Sequence, residues 1–306
     1  MVNKKAVSAS FVLKLMTLFY HHFLTKISFY TMQYDLHSHS IASDGTLTPI
    51  ELVKRACEQG VDVLALTDHD TTDGLDEARN QAQLSGMKLI NGVEISVTWE
   101  GHTVHILGLD IDAQNTQLQQ GLAALREFRD WRAQEIGRLL EKAGIEDAFN
   151  GAQKYAHGNL IGRAHFARYL LELGLAKNMN DVFKKYLVHR KPGYVNGKWA
   201  ALDDAIGWIR ASGGVAVIAH PARYNMSATK LRRLIQEFKD VGGSGIEVVS
   251  GSHNASDRHN IGQYAKRFEL LASMGSDYHG PENPWIELGR LQELPQGCTP
   301  VWTLFS

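Results

Sequence analysis

The sequence predicts an α/β fold, because short apolar stretches of strand length alternate with segments of helical periodicity. The chain has 306 residues, of which 44% are hydrophobic and 21% charged, as in an ordinary globular protein. Strands are predicted at residues 33–37, 61–67, 88–95, 103–109, 214–219, 245–249 and 270–273. Repeated strand–helix units favour a barrel or a doubly wound sheet.

The first predicted helix has the clearest boundaries. Thr48 is a favourable N-cap, Pro49 occupies the first helical position, and Glu51 completes a capping box. Gly60 is a natural residue to end this helix. A second helix is predicted over residues 74–85, between the second and third strands.

A helical segment interrupts the alternation of strands and helices. Its apolar residues follow helical spacing at Leu122, Leu125, Phe128, Ile136, Leu139 and Leu140. Shorter helices are predicted over 161–173 and 181–189, the latter with Asn180 as its N-cap. Residues 126–198 carry 14 lysines and arginines against 8 acidic residues. We therefore expect a small, basic helical insertion at 118–190 within a barrel formed by residues 32–117 and 191–306.

Residues 1–31 differ from the rest of the chain. They are apolar, but Lys14, His21, His22 and Lys26 interrupt them, which is unfavourable for a membrane-spanning helix or a signal peptide. We expect an N-terminal extension that precedes the true start at Met32; the alternative is a weak membrane-surface anchor. Two cysteines provide no disulfide framework, so a cytoplasmic location is expected.

Histidines and carboxylates collect where the predicted strands end. His37 and His39 can point to the same side of an extended chain, and Asp68-His69-Asp70 directly follows a buried strand. Glu94, His220, Asp277 and His279 lie at or just after the ends of later strands, and Asp44 follows the first strand. His105 is the exception, since it lies inside a predicted strand. Because active sites form at the carboxyl ends of barrel strands, these side chains are expected to converge.

The residue types indicate a metal site. Imidazole and carboxylate without thiolate favour Mn, Fe or Zn over Ca and Mg. More than four candidate ligands suggest more than one ion. Two or three divalent ions are expected, with Mn²⁺ as the first choice and Fe²⁺ or Zn²⁺ as alternatives.

Four motifs in order resemble those of the PHP (polymerase and histidinol phosphatase) family. They are His37-Ser38-His39, Thr67-Asp68-His69-Asp70, Ala219-His220-Pro221 and Gly275-Ser276-Asp277-Tyr278-His279. The resemblance covers nearly the whole chain after Met32. It implies a distorted (β/α)7 barrel, the PHP fold, with a trinuclear metal site.

The resemblance also implies a distribution of ligands. His37, His39, Glu94 and Asp277 would hold one ion, and Glu94 would bridge to a second ion held by His105 and His220. Asp44, His69 and His279 would hold the third. Asp68 would orient a ligand from behind. Asp44-Gly45 and the helical insertion resemble the branch that contains 3′,5′-nucleotide bisphosphate phosphatases and a bacterial 5′→3′ exoribonuclease.

These expectations predict hydrolysis of a phosphate ester on a nucleotide or an RNA 5′ end. A hydroxide generated at the metal site would attack phosphorus in line, and His253 is a candidate acid for the leaving group. Candidates for binding the substrate's phosphates are Arg163, Arg190, Lys191 and Arg223. No stable protein partner and no membrane are expected. The alternatives are a phosphatase of small metabolites such as histidinol phosphate, a non-catalytic scaffold, and hydrolysis of a C–N bond.

Overall fold

Seven strands form one sheet in chain order in the computed structural model, which describes residues 32–158 and 160–305. The predicted extension at 1–31 lies outside the described residues. The strands are β1 (Tyr34–Asp35), β2 (Val63–Leu66), β3 (Lys88–Trp99), β4 (His102–Leu109), β5 (Val215–Ile218), β6 (Gly245–Ser250) and β7 (Leu271–Gly275).

The sheet curves until its two edges meet. The Leu36 amide donates to the Met274 carbonyl at 3.0 Å, and Ser38 forms a parallel bridge with Tyr278. A nearly closed barrel results, which confirms the predicted α/β class. Its interior is filled by apolar side chains that include Leu36, Val217 and Val301.

One strand runs against the other six. β4 is antiparallel to both β3 and β5, whereas the remaining neighbouring pairs are parallel. β3 and β4 are joined by a tight turn at Glu100-Gly101, where both residues have positive φ. Because β4 is reversed, its beginning lies at the same barrel end as the carboxyl ends of its neighbours, and His105 pairs with Ser96 of β3. This reversal explains the exceptional position of His105 inside a strand.

Helices of the barrel cover the outside of the sheet. They are α1 (Pro49–Glu58), α2 (Leu75–Ser85), α7 (Leu202–Ala211), α8 (Ala228–Asp240) and α9 (Ala255–Phe268). The predicted capping box of α1 is present, since Thr48 and Glu51 each accept a hydrogen bond from the other's backbone amide.

The segment between β4 and α7 is helical. It contains α3 (Thr116–Lys142), α4 (Ala148–Gln153), α5 (Arg163–Glu172) and α6 (Met179–Val182), followed by a π-helical turn at Phe183–Leu187. The predicted cap at Asn180 is wrong: Asn178 caps α6 by accepting the Asp181 amide at 3.0 Å. Leu118, Leu122 and Leu125 of α3 pack on the barrel, whereas Ile136 and Leu140 belong to a separate core of the helical segment.

Among the described residues, no helix has both the length and the apolar character that a membrane span requires.

Candidate metal centre

Nine histidine and carboxylate side chains meet at the barrel end where the parallel strands finish. We call them the metal cluster: His37, His39, Asp44, His69, Glu94, His105, His220, Asp277 and His279. Their donor atoms form four overlapping groups, and within each group all donor atoms lie within 4.8 Å of one another. The structure therefore brings together all nine positions proposed as metal ligands.

Glu94 of β3 occupies the middle of the metal cluster. Its Oε1 lies 2.9 Å from His105 Nδ1, 3.0 Å from His220 Nε2 and 3.4 Å from His37 Nε2. Its Oε2 lies 2.9 Å from His69 Nδ1 and 3.3 Å from His39 Nε2. One fully buried carboxylate thus faces five imidazoles, which is the position required of a bridging ligand.

Two further carboxylates lie to either side of Glu94. Asp44 Oδ1 is 3.2 Å from His279 Nε2 and 3.9 Å from His69 Nε2. Asp277 Oδ1 is 3.4 Å from His39 Nε2 and 3.5 Å from His37 Nε2. The four groups of donors overlap with the distribution implied by the family resemblance, but they place His105 with His69 and His220 with His37.

Several donor atoms of the metal cluster have no hydrogen-bond partner although they are buried. They include Asp44 Oδ1, Glu94 Oε2 and His39 Nδ1. The histidine nitrogens beside the two carboxylate oxygens are within ion-pair distance, but they are not aligned for a hydrogen bond. An unsatisfied buried polar atom costs about 1–3 kcal/mol, so such atoms need a compensating ligand. Oxygen and imidazole nitrogen donors in this arrangement suit divalent cations, and the residues therefore fit a multinuclear metal site.

The carboxylates and histidines of the metal cluster shift one another's pKa values. Burial alone would raise the pKa of Glu94, but the facing histidines hold this pKa well below its usual range. Burial lowers the pKa of His39 to about 3 and that of His105 to about 4. Burial opposes protonation of His279 as well, yet Asp44 and Asp277 raise its pKa to about 9. Metal ligands need ionised carboxylates and neutral imidazoles, so a bound cation would take the place of the proton that Asp44 and Asp277 favour on His279.

Asp68 lies behind the metal cluster and is buried. It accepts hydrogen bonds from the Ser40 amide at 2.8 Å, from Ser40 Oγ at 2.7 Å and from Ser43 Oγ at 2.6 Å. These contacts are all to the loop that carries His39 and Asp44. Asp68 therefore holds the loop on which His39 and Asp44 lie and has no hydrogen bond to either side chain, so its predicted role in orienting a ligand would act through the loop backbone.

Glu247 of β6 is a positioning residue that the sequence did not reveal. Its Oε1 lies 3.1 Å from His37 Nδ1, and its Oε2 accepts the His220 amide at 2.5 Å. A carboxylate of this kind sets the tautomer and the orientation of the imidazole. The available signal was an acidic residue in the middle of an apolar, fully buried strand.

A cavity of about 440 Å³ opens above the metal cluster. We call it the metal cavity. Its lining also includes three arginines from the helical segment: Arg129 and Arg132 of α3 and Arg163 at the start of α5. We call these three the arginine cluster. Arg129 Nε donates to Asp70 Oδ2 at 2.6 Å.

The other two members of the arginine cluster lack such a partner. Among the described residues, no carboxylate forms an ion pair with Arg132 or Arg163. Arg132 is buried, its Nε has no hydrogen-bond partner, and its guanidinium lies over the Trp199 ring. Burial, together with Arg163 and Arg129, lowers the pKa of Arg132 to about 9. Crowded buried cations of this kind are stabilised by an anion.

The remaining candidate residues have different surroundings. Arg163 and Arg223 line the metal cavity, and Arg223 forms an ion pair with Asp277. Arg190 and Lys191 are exposed and do not line this cavity. His253 is buried and does not line this cavity; its Nδ1 is 3.1 Å from the Val248 carbonyl, and its Nε2 has no hydrogen-bond partner. Its role as the leaving-group acid stays a prediction.

Arg129 and Arg132 were not recognised in the sequence. They lie three residues apart on α3 and so occupy the same face of the helix. That spacing was the available signal, but two arginines on one face of a helix are more often exposed to solvent.

Comparisons with known proteins agree with this geometry. The PHP domain family matches residues 35–250. The chain is 49% identical over 269 residues to a 3′,5′-nucleoside bisphosphate phosphatase of Chromobacterium violaceum, covering 88% of this chain and 94% of the relative. It is 49% identical over 279 residues to the 5′-3′ exoribonuclease Rnm of Escherichia coli, covering 90% and 95%.

A solved structure is similar over the same extent. It is that of an amidohydrolase from C. violaceum with bound sulfate and no metal, with a TM-score of 0.86 and 49% identity. The match covers 89% of this chain and 95% of that one.

Proposed function

The chain belongs to the PHP domain family, and from that premise we propose that it is a metal-dependent phosphoesterase acting on 3′,5′-nucleotide bisphosphates and on 5′-phosphorylated RNA. One observation carries the proposal. The metal cluster and two arginines without a carboxylate partner face the same cavity, so a substrate with two phosphates can satisfy both walls. The named activities of the C. violaceum and E. coli relatives support it.

The metal cluster would hold two or three divalent ions, with Mn²⁺ as our first choice. Glu94, which faces five imidazoles, would provide ligand oxygens at the centre of the site, and the other eight side chains would provide the remaining ligands. Bound ions would supply a hydroxide nucleophile at neutral pH and would neutralise charge on the phosphate oxygens. Asp68 and Glu247 keep the ligands in place from behind.

The arginine cluster would bind the second phosphate. Gly162, Arg163 and Ala164 at the N-terminus of α5 line the metal cavity, and a helix N-terminus favours anions. Arg163 and Arg132 would add charge-assisted hydrogen bonds to a 5′-phosphate. This would place the 3′-phosphate of the same nucleotide toward the metal cluster. Products would be a nucleoside 5′-monophosphate and phosphate or a shortened RNA.

A substrate with one phosphate has no second phosphate for the arginine cluster to bind. Dependence of activity on the arginine cluster therefore distinguishes the proposed enzyme from a phosphatase of small metabolites. The location we propose is the cytoplasm, on the ground that Cys57 and Cys298 are unpaired.

The test compares adenosine 3′,5′-bisphosphate, histidinol phosphate and an aryl phosphate, on protein loaded with Mn²⁺ and on chelated protein whose metal content is measured. Wild-type protein should prefer the bisphosphate and should require metal. Arg163→Ala should raise KM for the bisphosphate about tenfold, as expected for one lost charged hydrogen bond, and should barely change KM for the aryl phosphate. An equal change in KM for both substrates would contradict the proposed role of the arginine cluster. Protein that binds no metal would support a scaffold instead.

A further inference from the structure

A second cavity of about 950 Å³ adjoins the metal cavity. The two cavities share residues at their boundary, namely Arg168, Met179, His279, Gly280 and Asn283. One of these, His279, belongs to the metal cluster. The second cavity therefore begins beside the reacting phosphate and leads away from it; we call it the downstream groove.

The outer part of the downstream groove carries an exposed aromatic ring. Trp285 has 86% of its surface exposed, which makes it the most exposed of the large hydrophobic side chains in the described residues. The Trp285 amide donates to Asn283 Oδ1 at 3.3 Å, and Pro284 precedes it in the chain. Tyr155 also lines the groove. A large exposed ring beside an active site is a candidate platform for a flat ligand.

The two ends of the combined cavity differ in charge. The arginine cluster lines the metal cavity alone. The downstream groove contains Arg168, whose guanidinium already donates to the Asp44 carbonyl at 2.8 Å, together with Glu172 and Glu282. The arginines without a carboxylate partner thus lie at one end, and the other end offers aromatic, amide and acidic side chains. A nucleotide bisphosphate held by the arginine cluster and the metal cluster would make its phosphate contacts in the metal cavity, whose lining does not include Trp285.

We propose that the downstream groove binds the RNA segment on the 3′ side of the scissile phosphate, with a base stacked on Trp285. This inference rests on the proposed function and extends it, because it assigns a site to the part of the substrate that a mononucleotide lacks. Stacking on an aromatic ring tolerates any base, since every base has a flat face. The groove accordingly favours chain length over sequence.

The experiment measures kcat/KM on the Mn²⁺-loaded protein for adenosine 3′,5′-bisphosphate and for 5′-phosphorylated oligoadenylates of increasing length. For wild type, kcat/KM should rise as the chain becomes long enough to fill the groove. Trp285→Ala should remove about tenfold from kcat/KM for the long substrates, the size expected for one stacked base. Its effect on the bisphosphate should stay below twofold. Trp285→Phe, which keeps a ring, should restore most of the length dependence.

Leu84→Ala provides the matched control. Leu84 is also a large hydrophobic side chain with high exposure, but it lies on α2 and lines neither cavity. For Leu84→Ala, the increase of kcat/KM with substrate length should equal that of wild type. The proposal is overturned if Trp285→Ala keeps the wild-type length dependence, or if it loses activity equally on the bisphosphate. Either result leaves the phosphoesterase assignment intact. Wild-type protein that cleaves neither substrate would overturn both.

Discussion

The two walls of the metal cavity hold buried charge in opposite ways. Every histidine of the metal cluster lies within 4 Å of a carboxylate, and Glu94 alone faces five of them. Elsewhere in the lining, Arg132 and Arg163 crowd each other and Arg129, and of these three only Arg129 has a carboxylate partner. The first wall, which we call the metal wall, offers donors that suit cations. The second, which we call the anion wall, carries positive charge that suits an anion.

The largest effect is expected from weakening the metal wall at Glu247. Glu247→Gln removes the negative charge beside His37 Nδ1 and weakens the acceptor of the His220 amide. We expect metal affinity to fall about 10- to 100-fold, because residues behind metal ligands typically contribute that much. The measurement is metal content and activity during titration of chelated protein with Mn²⁺. Activity should recover at high Mn²⁺.

The control for this change is Glu77→Gln, an exposed glutamate on α2. Its Mn²⁺ titration should match that of wild type. If Glu247→Gln binds Mn²⁺ normally yet loses kcat at saturation, Glu247 does not act through the metal ligands.

A smaller effect is expected on the anion wall, where one substitution should weaken substrate binding and increase stability. Arg132→Met keeps much of the side-chain volume but removes a buried charge that has no carboxylate partner. We expect KM for adenosine 3′,5′-bisphosphate to rise about tenfold, because a charged hydrogen bond is lost. Without phosphate, the free energy of unfolding should increase by about 1 kcal/mol, because replacing an uncompensated buried charge by an apolar group is stabilising. Steady-state kinetics measure the KM, and denaturant unfolding with and without phosphate measures the free energy of unfolding.

The pH dependence of that stability difference has a definite sign. Burial lowers the pKa of Arg132 to about 9, well below its value in the unfolded chain. The unfolded state therefore holds more protons above pH 9, and the destabilisation caused by Arg132 is complete below pH 9 and relieved as pH rises further. The advantage of Arg132→Met over wild type should shrink from pH 9 to 10.5. An advantage that grows over this range contradicts the crowded-cation interpretation.

The same contrast explains which residues could be predicted from the sequence. Histidines and carboxylates at strand ends were recognisable because parallel strands finish at one barrel edge. His105 does not follow this rule from sequence, because it lies inside a strand. The antiparallel direction of β4 brings the beginning of that strand, and with it His105, to the same edge. No comparable rule predicts which arginines on a helix face an active site. Arg132 faces the metal cavity, whereas Arg190 and Lys191 are exposed, and only the packing of the helical segment distinguishes them.

Glu247 was hidden for another reason. A single acidic residue in a buried strand indicates that it has a partner, but the sequence of that strand does not identify the partner. His37 and Glu247 lie 210 positions apart in sequence, and the near closure of the barrel brings them together. The fold class and the proposed metal ligands thus follow from local patterns, whereas the residues behind these side chains depend on tertiary packing.

The smallest effect tests how the metal wall is supported from behind. Ser43→Ala removes one of three hydrogen bonds to buried Asp68, a carboxyl whose pKa is raised by burial. The free energy of unfolding should fall by about 1–2 kcal/mol, and kcat should fall a few-fold because the loop carrying Asp44 loosens. Ser85→Ala, at an exposed position on α2, should change neither quantity. If Ser43→Ala lowers stability but leaves kcat and metal affinity unchanged, then the two remaining bonds from Ser40 are sufficient to hold Asp44, and Asp68 acts on the fold rather than on the metal ligands.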